Sequence, residues 1–177
     1  MNNDQIRSVP GYTRFVKEGE AFLLVSIAAQ TLELLRDGNI ILSYPVSTAK
    51  NGPGEKLNSF CTPRGWHCIR QKIGNTAPAG AVFRGRKFTG DIASEGSFPE
   101  KDLILTRILW LDGLEQGFNK GGIHDSYSRF IYIHGTNHEK DIGSPVSAGC
   151  IRMRNSDIIE LFDRVKPGTI ISIQEKA

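Results

Sequence analysis

The chain has 177 residues, 39% of them hydrophobic and 23% charged, proportions that argue against disorder and against a fibrous repeat. That length holds one domain with a real core, and 22 Lys and Arg against 19 Asp and Glu leave a formal net charge of +3. The charge is scattered, so neither a nucleic-acid partner nor a membrane-surface role is expected, and three unevenly spaced cysteines (Cys61, Cys68, Cys150) make no disulfide framework.

Residues 1–20 are polar and broken by Pro10-Gly11, which reads as an N-terminal arm before a single domain over 21–177. The apolar run from Ala21 to Ala29 is far short of the ~20 residues that span a bilayer, so no transmembrane segment is expected. Glu18 and Glu20 directly before it do not suit the basic leader of a secretory signal. The cytoplasm, where free thiols persist, is therefore the expected compartment.

Phe22 to Ile27 reads as a buried strand. Leu32 and Leu34 alternate with Thr31 and Glu33, and Asp37-Gly38 precedes the apolar stretch Ile40 to Leu42, the order of a hairpin. A helix over Gln30 to Arg36 competes, because Leu, Glu and Arg favour helix, and the Asp37-Gly38 pair decides for the hairpin. Ser47 to Gly65 is dense in Gly, Pro, Ser, Thr and Asn and reads as an exposed loop. Trp66 to Ile73 resumes strand composition, and residues 74–102, again rich in Gly and Pro, read as a second long loop of functional length. Leu103 to Leu111 and Arg129 to Ile133 are two central strands joined by the glycine-rich connection 112–128. One helix is clear, at about 155–165. Asn155 or Ser156 can cap it, Asp157 complements its dipole, and Ile158, Ile159, Leu161, Phe162 and Val165 share a face. Pro167-Gly168 ends it and Ile170 to Ile173 forms a last strand. The expected fold is mainly β, with long loops and this one C-terminal helix.

The chemistry gathers between Arg129 and Asn155. His134 is expected at the end of a strand, with Gly135 opening the loop beyond it. Cys150 lies in Ser147-Ala148-Gly149-Cys150-Ile151-Arg152, where Gly149 permits a sharp turn beside the thiol. A free thiol titrates near ~8.5 and needs a basic neighbour to act as a nucleophile at neutrality. An imidazole can supply that base, and amides near Gly149 can hold the resulting oxyanion. A lone Cys is more often a small buried hydrophobe, the expectation for Cys61 and Cys68. His134, His138 and Cys150 are a rival zinc set, but Gly135-Thr136-Asn137 favours a turn over the helix that such spacing needs, and no further ligand completes the shell. No metal and no cofactor are expected, and His67 and His124 have no identifiable partner.

The chain resembles the YkuD-type L,D-transpeptidase family. Three blocks carry the likeness: Tyr44-Pro45-Val46-Ser47-Thr48, then Thr62-Pro63-Arg64-Gly65, then His134-Gly135-Thr136 with Ser147-Ala148-Gly149-Cys150-Ile151-Arg152-Met153. The resemblance implies a β-sandwich-like domain and a Cys–His acyl-enzyme that uses peptidoglycan stem peptides or muropeptides as partners. By it, Cys150 is the nucleophile, His134 the general base and the Gly135 carbonyl the group that orients the imidazole. The amides of Ala148, Gly149 and Cys150 make the oxyanion hole, and Arg152 and Ser147 face the substrate. Carbapenem acylation of the thiol is implied as well. One departure is Ala148, where family members usually carry a second His. The blocks Thr62-Pro63-Arg64-Gly65-Trp66-His67, Ile104-Leu105-Thr106-Arg107-Ile108-Leu109-Trp110-Leu111 and Ile151-Arg152-Met153-Arg154-Asn155 are similar to a short, signal-less branch of cytoplasmic L,D-carboxypeptidases. The expected reaction is release of D-Ala from a tetrapeptide stem. The alternatives are 3→3 cross-linking, carried out in the periplasm as for most of the family, and a non-catalytic module that binds the peptide.

Overall fold

The computed structural model describes residues 9–176. Its strands are β1 (Ala21–Ser26), β2 (Thr31–Arg36), β3 (Asn39–Pro45), β4 (Gly65–Ile73), β5 (Ala81–Arg84), β6 (Lys87–Ile92), β7 (Ile104–Gly113), β8 (Tyr132–Gly135), β9 (Ile151–Met153) and β10 (Ile170–Gln174). Among the described residues two α-helices join them, α1 (Tyr12–Phe15) and α2 (Asn155–Arg164). The mainly β architecture is realised as one hydrogen-bonded sheet in the order β3-β2-β1-β10-β4-β7-β5-β6, with β8 branching from β7 and β9 from β8.

The β2–β3 hairpin forms where the Asp37-Gly38 pair places it. Both residues take positive φ, 48° and 77°, the conformation whose twist matches that of the flanking strands. Just beyond β3 the chain bends back across the fold. Ser47 exchanges both backbone hydrogen bonds with Arg152, each 2.9 Å long. This bridge ties the β3 side of the sheet to β9, so the sheet wraps into a nearly closed ring. The enclosed core holds Leu23, Val25, Leu34, Leu109, Ile133, Ile151 and Ile171, and the face of α2 carrying Ile158, Leu161 and Phe162 packs into it. Lys72 donates from Nζ to the carbonyls of Phe162 and Val165, satisfying acceptors that the end of α2 leaves free.

Several local expectations are corrected. Residues 74–102 are not one loop but contain the β5–β6 hairpin. Every residue of β6 is exposed, so it has no buried face and leaves no alternating pattern to read. β8 starts at Tyr132 and not at Arg129, because Phe130 adopts a left-handed φ of 58° that breaks the strand. Neither Asn155 nor Ser156 caps α2. Arg154 holds the cap position without a side-chain bond, and Oε1 of Glu139 accepts the Asn155 N–H at 2.7 Å. Cys61 and Cys68 are half-buried rather than fully enclosed. Of the N-terminal arm, residues 1–8 lie outside the described residues. Val9, Tyr12, Phe15 and Val16 pack on Phe22, Leu24, Leu35 and Trp66, and Trp66 donates from Nε1 to the Pro10 carbonyl at 2.6 Å.

His67 has partners after all. Its ring is fully buried on β4, with Nε2 2.9 Å from Ser126 Oγ and Nδ1 3.1 Å from the Gly65 carbonyl. Desolvation pushes this imidazole from 6.5 down to about 4, so the folded chain holds it neutral where the unfolded chain takes up a proton. Stability is complete above the unfolded value and is lost as pH falls through that window, by about 3 kcal/mol in all. Urea unfolding at several pH values between 7 and 4 is expected to show this slope in the native chain and a flatter one in His67→Gln.

Candidate active site

β8 and β9 run parallel, with His134 opposite Arg152 and Ile133 opposite Ile151. Strand alternation turns Ile133, Ile151 and Met153 into the core and sends Tyr132, His134 and Arg152 to the other face. Cys150, one residue before β9, continues that face and packs against the cluster containing Phe83, Trp110 and Tyr132. His134 and Cys150 thus stand on the same face of neighbouring segments, Cys150 two residues before the strand partner of His134. His134 does not close its strand as expected; it lies within β8, and Gly135 is the last strand residue.

The imidazole is fixed by a single bond, Nδ1 to the Gly135 carbonyl at 2.7 Å. A carbonyl only accepts, so neutral His134 carries its proton on Nδ1 and presents the Nε2 lone pair. Complete burial lowers its affinity for a second proton, against the Gly135 carbonyl and Asp102, which raise it. The Cys150 sulfur receives the Tyr132 N–H and donates to the Phe130 carbonyl, each at 3.4 Å. Burial pushes this thiol up to about 11, while the Tyr132 amide, Arg152 and Arg129 pull the other way. At neutral pH the two groups rest as uncharged thiol and uncharged imidazole.

Gly149 turns the chain into the nucleophile. Its φ is 129°, and a Cβ there would lie 3.3 Å from the Cys61 carbonyl. Thr62 Oγ1 holds the Gly149 carbonyl at 2.9 Å. Of the three amides expected to hold an oxyanion, that of Gly149 is already committed to Ser147 Oγ at 3.2 Å. The amides of Ala148 and Cys150 donate to no acceptor in this loop. Ser147, expected to face the substrate, is buried and donates its hydroxyl to the Cys150 carbonyl at 2.6 Å, so it braces the turn instead. Arg152 is buried as well. Its guanidinium pairs with Asp102, and its Nε has no partner. Ala148 is exposed, two residues before Cys150.

Two contributors escaped the sequence. Asp102 precedes β7 and meets Arg152 only through the fold. Arg129 fastens the loop between β3 and β4 to this site, donating to the carbonyls of Glu55 and Cys61 at 2.8 Å each. Carbonyl acceptors carry no side-chain signature, so no pattern announced that role. The zinc set is not assembled. His138 Nε2 lies 2.9 Å from the Lys101 carbonyl, and among the described residues no three His, Cys, Asp or Glu side chains are grouped to hold a metal. A cleft of about 600 Å³ lined by Arg64, Trp66, Glu115, Phe118 and Glu175 shares no residue with this site.

Residues 20–173 match the model of the YkuD L,D-transpeptidase catalytic domain. The chain belongs to the YkuD L,D-transpeptidase family. It is similar to YqjB of Bacillus subtilis (strain 168), named as an L,D-transpeptidase, with 27% identity over 157 residues that cover 89% of this chain and 73% of that protein. Its fold is that of an L,D-transpeptidase from Mycobacterium smegmatis, with a TM-score of 0.53 and 23% identity over 88% of this chain and 58% of the other. L,D-transpeptidase 3 from Mycobacterium tuberculosis, solved in complex with a faropenem-derived adduct, shares it too, with a TM-score of 0.54, 15% identity and coverage of 88% and 60%. The YkuD domain here therefore spans less than two thirds of those solved chains. Among the described residues no helix is long and apolar enough to cross a membrane.

Proposed function

We propose that this YkuD-family domain is a cysteine acyl-enzyme that releases D-Ala from peptidoglycan tetrapeptide stems. The observation that carries the reading is the shared face of His134 and Cys150, with Nδ1 tied to the Gly135 carbonyl and Nε2 left open. Nε2 takes the thiol proton as the sulfur attacks the carbonyl between meso-diaminopimelate and D-Ala. The amides of Ala148 and Cys150 receive the oxyanion. The imidazolium then gives its proton to the departing D-Ala nitrogen, leaving a thioester on Cys150.

Water resolves the thioester in the first reading, giving a tripeptide. This is the L,D-carboxypeptidase outcome, supported by the blocks shared with the short branch, and on this reading the protein trims recycled muropeptides in the cytoplasm. Attack by an amine of a second stem is the second reading, a cross-link made outside the cytoplasm, favoured by the L,D-transpeptidase name of YqjB. Incubation with a disaccharide-tetrapeptide, followed by mass analysis, is expected to yield tripeptide and free D-Ala. Dimer without tripeptide reverses the order of the two readings, and no turnover leaves a peptide-binding module. A carbapenem is expected to add its mass to Cys150 alone.

A further inference from the structure

A histidine base is only as effective as its tautomer is fixed, and here the fixing group is a backbone carbonyl. The groups packed behind Gly135 lie on β7 and at the start of α2. Leu105 pairs with Gly135 and Ile108 with His134, so Thr106 and Arg107 are extra residues bulged out of β7 directly across from the His134–Gly135 step. Thr106 has a φ of 71°, which a β-branched residue adopts only under constraint from its surroundings. It is fully buried, and its hydroxyl accepts the Gly80 N–H at 3.0 Å while donating to Asn155 Oδ1. Asn155 in turn donates from Nδ2 to the Thr136 carbonyl at 2.9 Å and to Glu139 at 2.7 Å. This chain presses on Gly135 so closely that a Cβ there would collide with Asn155 Oδ1 and lie 2.8 Å from the Leu105 carbonyl.

We propose that Thr106 and Asn155 are positioning residues for the His134 base. From the β7 bulge and from the start of α2 they clamp the Gly135 peptide so that its carbonyl meets Nδ1 and Nε2 stays open toward Cys150. The kinetic consequence rests on the acyl-enzyme reading above, whereas the tautomer does not. A network that merely braced the start of α2 would leave the imidazole unchanged when broken.

The test compares Thr106→Val, which keeps the shape and loses the hydroxyl, with Thr106→Ser, which keeps the hydroxyl. Imidazole ¹⁵N spectra of the native chain are expected to show His134 as a single Nδ1–H tautomer, and those of Thr106→Val a mixture with the Nε2–H form. With tetrapeptide substrate, kcat in Thr106→Val is expected to fall about 10–100-fold with KM within about twofold, and Thr106→Ser to recover most of the loss. If circular dichroism shows Thr106→Val unfolded, Asn155→Asp replaces it and must shift the tautomer in the same direction. A native tautomer in the folded variant, or a Thr106→Ser as impaired as Thr106→Val, overturns the proposal. If the native chain turns over no tetrapeptide, the acyl-enzyme reading fails while the tautomer comparison still decides the positioning role.

Discussion

Cys150→Ala is expected to release no D-Ala above the uncatalysed background, a loss of at least about 10⁴-fold by comparison with other enzymes stripped of their nucleophile. The reason is specific to this thiol. Its sulfur sits between the Tyr132 amide and the Phe130 carbonyl, on the face that also carries His134. Alanine keeps the Cβ and the Cys150 amide, so the turn at Gly149 and its bonds to Thr62 and Ser147 survive. The variant should unfold at nearly the native temperature, and carbapenem should no longer add mass. Turnover that persists in Cys150→Ala would falsify the acyl-enzyme mechanism.

His134→Gln is the second large effect, expected to lower kcat/KM by about 10²–10⁴-fold, the usual contribution of a general base. Its pH dependence is more telling than its size. Burial lowers the affinity of His134 for a proton and raises that of Cys150 to about 11, so the resting pair is neutral and no thiolate accumulates near pH 7. Activity of the native chain should therefore rise as His134 loses its proton, with an acid limb below the ordinary histidine value of about 6.5, and then stay level through the neutral range. Alkylation by iodoacetamide should be slow at pH 7 in both proteins, because the reagent needs the thiolate. Fast alkylation of the native chain, lost in His134→Gln, would instead reveal a preformed thiolate–imidazolium pair.

Much of the framework was readable from residue order. Alternation in β2, the Asp37-Gly38 turn and the apolar stripe of α2 each encode local geometry, and each element formed where it was expected. The β5–β6 hairpin was hidden because its outer strand buries nothing, and β9 because three residues are too few for a pattern. At the site, the chemistry of Cys150 and His134 made them candidates, and the family blocks around them singled them out. Their shared face depends on the parallel register of β8 and β9, which no short stretch of sequence specifies. Ser147 and Arg152 were expected to face a ligand by the family resemblance, whereas the fold gives each an internal partner, the Cys150 carbonyl and Asp102.

Strand β10 is the joint of the whole sheet, lying between β1 and β4 and pairing Phe22 with Ile170. During translation the β1–β2–β3 meander emerges early, yet its inner edge has no neighbour until Ile170–Gln174 has cleared the ribosome. Contacts so remote in sequence close late, because ordering the intervening chain costs entropy that only the finished pairing offsets. Along the β1–β10–β4 seam the two halves of the sheet are thus joined only once Ile170–Gln174 has been made. Nascent chains stalled before that strand should be open to protease, whereas the released protein resists it.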